Sequence, residues 1–361
     1  MSREAVATAR RLVVKVGSSS LTTQSGGLDG ERLDALVDAL EARGGEIVLV
    51  SSGAIAAGMA PLGLTKRPRD LATLQAAASV GQSLLVQRYA TAFARHDRTV
   101  GQVLLTADDV VRRAHYRNAR TTLERLLALG VVPVVNENDA VATQEIRFGD
   151  NDRLAALVAH LVRADALVLL SDVAGLYDGD PGRPGARLVP QIDGPEDLAD
   201  LVIAAPDAAG AGTGGMASKV DAARIATSAG VPVLVAAATD ASAALRGEGG
   251  TIFPTSAPRV AGRLLWLAHA SAPQGRLVLD DGAVDAICRS GRSLLPAGVT
   301  GVSGEFAAGD PVDLLDGHGR VVARGLVGYG SEEVSALLGK STREFGLREL
   351  VHRDDLVLLD P

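Results

Sequence analysis

The chain has almost no cysteine, and Cys288 is the only one in 361 residues. One cysteine excludes an internal disulfide framework and fits a reducing cytoplasm. No apolar run is long enough to cross a bilayer, since Arg163 and Asp165 interrupt the most apolar region. The N-terminal segment, with charges at positions 3, 4, 10 and 11, lacks the apolar core of a secretory signal. We therefore expect a soluble, cytoplasmic protein without a membrane partner.

Positive charge is also in deficit, because the formal net charge is −7. Nucleic-acid backbones are neutralised by Lys and Arg, so this balance disfavours a nucleic-acid partner. The composition is 47% hydrophobic, which allows at least one substantial core and, at this length, predicts two domains.

Strand-like and helix-like runs alternate up to about residue 237. This alternation predicts an α/β fold with a mainly parallel sheet sandwiched by helices. Residues 140–148 are interpreted as a hairpin or lid. The predicted strands are 11–16, 46–51, 98–105, 131–135, 166–171 and 232–237. The predicted helices are 31–43, 70–94, 116–129, 151–163 and 216–229.

The pattern changes after residue 267. Residues 268–275 form a small-residue stretch that is typical of a linker. Short strands separated by glycine turns follow, which predicts a small β-rich domain over residues 276–361. The first domain would then span residues 1–267.

A glycine-rich turn at residues 214–219, Gly-Gly-Met-Ala-Ser-Lys, opens onto a helical pattern. A backbone with little side-chain bulk can approach a phosphate, while the helix N-terminus and Lys219 supply positive charge. The segment therefore indicates nucleotide-phosphate binding, against the alternative of a flexible surface loop. A dinucleotide fingerprint at 210–215 is weak, because Pro206 and Asp207 separate it from the preceding apolar run. Gly339-Lys340-Ser341 is not a Walker A loop, since Val334 stands where its first glycine belongs.

Polar residues mark the ends of several predicted strands. Lys15 lies inside an apolar strand, where a lysine is costly unless its ammonium meets an anion. Residues 136–139, Asn-Glu-Asn-Asp, follow another apolar strand at the usual place for ligand groups in open α/β sheets, although an Asx-rich turn is the alternative. Asp150 and Asp152 precede a helical pattern, where Asp150 could serve as an N-cap.

These motifs, in this order, resemble the amino-acid kinase family, and specifically its glutamate-phosphorylating members with a C-terminal PUA domain. The resemblance spans essentially the whole chain, including its last residues, 351–355. The matching segments are 15–19, 51–58, 136–141, 149–152 and 212–216.

The resemblance implies that γ-phosphoryl is transferred from ATP, with Mg²⁺, to the side-chain carboxylate of L-glutamate, giving γ-glutamyl phosphate for proline biosynthesis. It also implies feedback inhibition by L-proline, a homo-oligomer, and a separate glutamyl phosphate reductase that accepts the product. A carboxylate is already ionised at neutral pH, so the nucleophile needs no general base. None of the six histidines lies in the five matching segments between residues 15 and 216, which suits this chemistry.

The family pattern also assigns roles to residues. Lys15 and Lys219 would be catalytic cations, and Asp152 would organise them. Gly17, Gly53 and Gly215 would offer backbone donors. Glutamate would be held by Ser52, Gly53, Asp139 and Asn151. ATP would contact Lys15, Gly17, Ser171, Asp172, Thr213, Gly214, Gly215, Met216, Ala217, Ser218 and Lys219.

Three positions depart from the common family pattern. Ser171 and Ser218 replace threonine and keep the hydroxyl, whereas Ala217 removes one hydroxyl donor. Kinases acting on aspartate, N-acetylglutamate, carbamate or UMP remain alternatives within the family. An RNA-binding protein and a dehydrogenase are alternatives from other classes.

Overall fold

A computed structural model describes most of the chain. The described residues are 2–23, 27–106, 109, 113–141, 151–183, 185–194, 196–199, 215–255, 267, 273–338 and 349–359. They form two compact units, residues 1–259 and 260–361.

The first unit alternates strands and helices. Its strands are β1 (Arg11–Val16), β2 (Glu46–Ser51), β3 (Val100–Leu105), β4 (Val132–Glu137), β5 (Ala166–Ser171), β6 (Val233–Ala237) and β7 (Thr251–Phe253). Its helices are α1 (Ser2–Thr8), α2 (Ser18–Leu21), α3 (Gly30–Arg43), α4 (Ala54–Met59), α5 (Leu71–Ala94), α6 (Arg113–Ala128), α7 (Asn151–Leu161), α8 (Glu196–Ala199), α9 (Met216–Ser228) and α10 (Ala241–Leu245).

The seven strands form one sheet in the order β3-β4-β2-β1-β5-β6-β7. All neighbours pair in parallel except β6 and β7, which are antiparallel. Every residue of β4, β5 and β6 is buried, as is typical of parallel strands covered by helices on both faces. The predicted fold class is confirmed.

Strand β1 lies at the middle of the sheet, between β2 and β5. Lys15 is therefore a buried residue of a central strand and does not reach solvent from an edge. The six predicted strands are found within two residues of their expected bounds. Strand β4, however, continues through Asn136 and Glu137, which had been expected to follow it.

Some elements were not predicted from the sequence. Helix α1 covers the charged N-terminal segment, and its Val6 is fully buried in the core. Strand β7 is only three residues long and pairs with β6 as an antiparallel edge. Elements as short as these span too few residues to show a clear hydrophobic periodicity, so the sequence does not predict them. Tertiary packing determines where they form.

The second unit is rich in β-structure, as predicted. Its strands are β8 (Gly275–Leu279), β9 (Val299–Gly304), β10 (Pro311–Leu315), β11 (Val321–Val327) and β12 (Val351–Leu358), in the order β12-β11-β10-β8-β9. Strands β8 and β10 are parallel, and the other pairs are antiparallel. Helices α11 (Asp281–Cys288) and α12 (Ser331–Leu337) also belong to this unit.

The linker predicted over residues 268–275 stays a prediction, because residues 268–272 lie outside the described part of the chain. Its last residue, Gly275, begins β8. Most of the predicted hairpin or lid, residues 142–148, also lies outside the described residues. No helix within the described ranges is both long and apolar enough to span a membrane.

Candidate active site

Three charged side chains from distant parts of the chain meet inside the first unit. The carboxylate of Asp152 pairs through Oδ1 with Nζ of Lys15 and through Oδ2 with Nζ of Lys219, the latter at 3.1 Å. Lys15, Asp152 and Lys219 are only 3%, 0% and 5% exposed. We call them the buried triad. One carboxylate holds two ammonium groups, so the cluster has a formal charge of +1.

The charge state of Asp152 follows from its surroundings. Burial on its own would raise the pKa of this carboxyl group, because it penalises the charged form. The ammonium groups of Lys15 and Lys219 oppose that effect by charge and hydrogen bonding, and they hold the pKa below its ordinary value. The carboxylate is therefore ionised throughout the neutral range.

Three elements deliver the buried triad. Lys15 is the fifth residue of β1, and Asp152 lies in the first turn of α7. Lys219 lies in the first turn of α9, which begins directly after Gly215. Arg153 of α7 pairs with Asp221 of α9 at 3.0 Å, which helps to fix these two helices against each other.

The start of α9 adds a hydroxyl group to this cluster. Ser218 Oγ lies 3.1 Å from Oδ2 of Asp152 and donates to the carbonyl of Gly215 at 2.9 Å. The N-terminus of a helix carries unpaired N–H groups and partial positive charge. Together with two lysines, it gives this end of the sheet the electrostatic character that a polyanionic phosphate requires.

A second polar cluster lies at the ends of β2 and β4. Nδ2 of Asn151 donates to Ser52 Oγ at 2.9 Å, so two residues predicted to hold glutamate are in contact. The backbone N–H of Ser52 donates to the carbonyl of Val16 at 3.1 Å, which ties this cluster to the end of β1. Asn151 directly precedes Asp152 in α7, and the two clusters are therefore adjacent.

Asp139 lies in the turn after β4, two residues beyond Glu137, and is half-buried. The N–H of Glu137 donates to Oδ1 of Asn151 at 3.3 Å. The turn that carries Asp139 thus starts beside the polar cluster of Ser52 and Asn151. A carboxylate at this position would suit an α-ammonium group, as the resemblance to the family implies.

Two glycines shape the loops at the strand ends. Gly53 has φ +106°, a left-handed conformation that favours glycine, and it is the N-cap of α4. Gly17 is the N-cap of α2, and a Cβ placed there would lie 3.9 Å from Nζ of Lys15. A side chain at position 17 would therefore stand next to the catalytic ammonium predicted at Lys15.

Most of the residues predicted to contact ATP lie within the described part of the chain. Ser171 ends β5, where Oγ donates to Oδ1 of Asp172 at 2.9 Å, and β5 is the direct neighbour of β1. The cap and first turn of α9 contain five of the predicted residues, namely Gly215, Met216, Ala217, Ser218 and Lys219. Thr213 and Gly214 lie outside the described residues.

The sequence pattern placed Asn136 among the candidate ligand groups, but Gln82 and Tyr89, which support the second cluster, were missed. Asn136 receives a hydrogen bond from Asn151, and Gln82 in turn receives one from Asn136. Tyr89 lies 2.9 Å from Ser51, between hydroxyl oxygens. Gln82 and Tyr89 are seven residues apart in α5, so they share one helix face, and this spacing was the available signal.

The described residues offer few ligands for a metal ion. Within the described ranges, no group of three His, Cys, Asp or Glu side chains could hold a metal ion. Mg²⁺ in kinases is bound largely by substrate phosphates and water, so a dedicated protein cage is not required. The residues present therefore fit Mg²⁺ that arrives with a nucleotide.

Comparison with known proteins defines the class. Residues 10–237 match the amino acid kinase family, and residues 275–345 match the PUA domain. The chain therefore belongs to the amino acid kinase family and is a phosphotransferase. The solved structure of carbamate kinase from Giardia lamblia bound to AMP-PNP shares the fold, with a TM-score of 0.51, 18% identity, and coverage of 69% of this chain and 100% of that one.

Full-length relatives narrow the comparison. The chain is 63% identical to a glutamate 5-kinase of Streptomyces avermitilis, covering 100% of this chain and 99% of the relative. It is 62% identical to a glutamate 5-kinase of Frankia casuarinae, covering 99% of each. A glutamate 5-kinase of Thermobifida fusca is 60% identical, with 99% and 95% covered.

Proposed function

We propose that the protein transfers the γ-phosphoryl group of ATP to the side-chain carboxylate of L-glutamate and releases γ-glutamyl phosphate and ADP. The observation that carries this proposal is similarity of 60–63% identity, over essentially the whole chain, to proteins named glutamate 5-kinase. The buried triad supports the same reaction independently, because it concentrates positive charge where a phosphoryl group would have to be bound.

The chemistry asks for charge neutralisation more than for proton transfer. A glutamate carboxylate, with an ordinary pKa of about 4.3, is already a nucleophile at neutral pH. It must approach an anionic phosphoryl group, so catalysis depends on cations and N–H donors that face the transferring group. Lys15, Lys219 and the start of α9 supply these groups in the proposed mechanism.

Asp152 has a positioning role in the proposed mechanism. It binds both ammonium groups with one carboxylate and is itself fully buried. Such an arrangement fixes the distance between two cations that would otherwise repel each other. Lys15 and Lys219 can then contact the transferring phosphoryl group and the leaving phosphate without rearrangement during the reaction.

Mg²⁺ is proposed as the ion that accompanies ATP. It would be held mainly by nucleotide phosphates and water, as the donor set of the described residues allows. When bound, it would neutralise charge on the β- and γ-phosphates.

The acceptor site is proposed to lie at Ser52, Gly53, Asp139 and Asn151. The hydroxyl and amide groups of Ser52 and Asn151 are suited to carboxylate oxygens, and the Asp139 carboxylate to the α-ammonium group of glutamate. Ser171, Asp172 and residues 213–219 are proposed to contact ATP.

We also propose that the reaction begins proline biosynthesis and is inhibited by L-proline. The acyl phosphate product is labile, so a glutamyl phosphate reductase must consume it. Proline shares the α-amino acid group with glutamate, and therefore it should compete for Asp139 and Asn151. Inhibition that is unaffected by raising glutamate across its KM range, or no inhibition, would contradict this proposal.

The domain arrangement is proposed as kinase domain 1–267, linker 268–275 and PUA domain 276–361. The last segment carries nine Lys and Arg against fourteen Asp and Glu, so it should repel a nucleic-acid backbone at long range. We propose that it tunes the assembly or regulation of a homo-oligomer. A protein truncated after residue 270 should keep glutamate-dependent turnover, with altered oligomer size, proline sensitivity or Mg²⁺ dependence. Salt-sensitive, submicromolar RNA binding would contradict this role.

A substrate panel tests the proposed reaction. ADP release would be measured with Mg²⁺-ATP and, in turn, L-glutamate, aspartate, N-acetylglutamate, carbamate and UMP. Hydroxylamine would trap the acyl phosphate as γ-glutamyl hydroxamate. We expect that glutamate is the only one of these acceptors to support turnover, and that ADP and hydroxamate then form in equal amounts. Turnover that prefers another acceptor would refute the proposed function.

A further inference from the structure

Helix α5 presents two buried polar side chains to the strand ends that carry the proposed glutamate site. Gln82 is 9% exposed, and Tyr89 is fully buried. Their seven-residue separation corresponds to about two helical turns, which places both on one face. Tyr89 contacts Ser51 at the end of β2, and Gln82 contacts Asn136 near the end of β4.

The hydrogen bonds between the three amide side chains run in one direction. Nδ2 of Asn151 donates to Oδ1 of Asn136 at 3.0 Å, and Nδ2 of Asn136 donates to Oε1 of Gln82 at 2.7 Å. A side-chain amide has donors on one branch and an acceptor on the other. Each bond therefore determines which way the next amide faces, and Gln82 supplies the final acceptor.

A rotation of the Asn136 amide by half a turn would break all of these hydrogen bonds. Its Nδ2 would then face Nδ2 of Asn151 and the N–H of Glu137, both of which now donate to Oδ1. Its Oδ1 would face the acceptor of Gln82. Buried polar groups that lose their partners are costly, so the N–H of Glu137 and the acceptor oxygen of Gln82 together disfavour this arrangement.

We propose that Gln82 is a positioning residue for the acceptor substrate. Together with the N–H of Glu137, it holds Asn136 in the orientation that accepts from Asn151, and so it helps to present Asn151 and Ser52 to glutamate. This inference rests on the proposed function, because it takes glutamate to be the ligand of Ser52 and Asn151. Loss of the Gln82 acceptor should therefore lower the affinity for glutamate and leave the buried triad unchanged.

Replacement of Gln82 by methionine tests the inference in the full-length protein. Gln82→Met keeps the length of the side chain and removes its acceptor. We expect the KM for glutamate to rise about three- to tenfold, the range for loss of one buried hydrogen bond. The kcat and the KM for ATP should stay within about twofold of wild type, since the lysines are not moved. Gln87→Met is the matched control, because Gln87 is an exposed glutamine of the same helix.

The conservative variant Gln82→Glu tests whether the acceptor oxygen is the group on which glutamate affinity depends. A glutamate side chain keeps an acceptor oxygen in either protonation state. It also sacrifices no hydrogen bond, since Nε2 of Gln82 has no partner among the described residues. We expect Gln82→Glu to restore most of the glutamate affinity that Gln82→Met loses. If Gln82→Met does not fold, Gln82→Asn, whose acceptor is one methylene too short, should raise the glutamate KM in its place.

The outcomes are distinguishable. A glutamate KM within twofold of wild type in Gln82→Met would overturn the positioning role, and so would an equal rise in the KM for ATP. Gln82→Glu with a defect as large as that of Gln82→Met would also overturn the positioning role, because that variant keeps the acceptor oxygen and the length of the side chain. If the wild-type protein itself shows no glutamate-dependent turnover, the proposed function fails before this inference is reached.

Discussion

The two units of the chain bury charge in different ways. In the first unit, Lys15, Asp152 and Lys219 come from three separate elements, and Asp152 and Lys219 are 67 residues apart. In the second unit, Asp313 and Arg324 are directly opposite each other on β10 and β11, only 11 residues apart in the chain. A local pair forms with its hairpin, whereas the buried triad forms only when the whole sheet is assembled.

The hairpin pair and the buried triad serve different purposes. A pair across one hairpin satisfies a buried aspartate and supports the register of two strands. The buried triad instead brings three charged groups from separate elements into the interior, and their desolvation is expensive. Such a cost is expected at a functional site, so we interpret the triad as a device for catalysis and the hairpin pair as a device for stability.

The largest effect is expected from the lysines. Lys219→Ala and Lys15→Ala should each lower kcat by about two to three orders of magnitude, the usual scale for losing one charge-stabilising donor. The KM for glutamate should change far less, because the lysines are proposed to contact the transferring phosphoryl group. Steady-state kinetics of both variants, beside Arg224→Ala as an exposed basic residue of the same helix, would measure this. Near-normal turnover in Lys219→Ala would remove the assigned role.

Asp152→Asn should reduce both activity and stability. Without the carboxylate, two buried ammonium groups repel each other, and breaking such a pair typically costs about 3–5 kcal/mol. The pKa of Asp152 is lowered in the folded protein, so its contribution is present above its unfolded pKa and is lost as pH falls through the folded value. Denaturant unfolding should thus show a gap between wild type and variant that is full at pH 7 and shrinks below about pH 4. A gap that does not depend on pH would contradict this assignment.

Arg324→Ala in the second unit should affect stability alone. It leaves Asp313 buried without its main charged partner, 2.6 Å away in the wild type, at a cost of about 1–3 kcal/mol. Its kcat with glutamate should equal that of wild type, because the pair supports a hairpin. The control is Arg289→Ala, whose exposed pair with Asp285 should contribute almost nothing. Loss of turnover in folded Arg324→Ala would show that the two units do not divide their roles in this way.

The smallest effect is expected at a helix cap of the second unit. Asp280 accepts a hydrogen bond from the N–H of Ala283 at 2.7 Å and caps α11. Asp280→Ala should cost about 1 kcal/mol of unfolding free energy, with no change in kinetics. Thermal unfolding of the full-length protein measures the loss, and an unchanged transition would mean that this cap carries no stability.

The sequence was most informative where a residue conflicted with its surroundings. A lysine inside an apolar strand predicted that an anion lies nearby, and Asp152 fulfils that expectation. The alternation of strands and helices was sufficient for the fold class, because buried parallel strands read as continuous apolar runs.

The hydrogen-bonded amides behind the proposed acceptor site could not be predicted in the same way. Gln82 is a polar residue in a long helix, where most such residues are exposed, and only the packing of α5 buries it. Asn136 was placed after its strand, because asparagine is typical of turns, whereas tertiary hydrogen bonds keep it within β4. Long-range partners of this kind leave no local pattern.

The most direct test of the central comparison removes the buried triad altogether. A variant with Lys15→Met, Asp152→Leu and Lys219→Met replaces three buried charges with apolar side chains, a change that is often neutral or stabilising. We predict an unfolding free energy equal to or above that of wild type, with no detectable γ-glutamyl hydroxamate. Hydroxamate formation within tenfold of wild type, or an unfolding free energy clearly below that of wild type, would contradict the catalytic role of the buried triad.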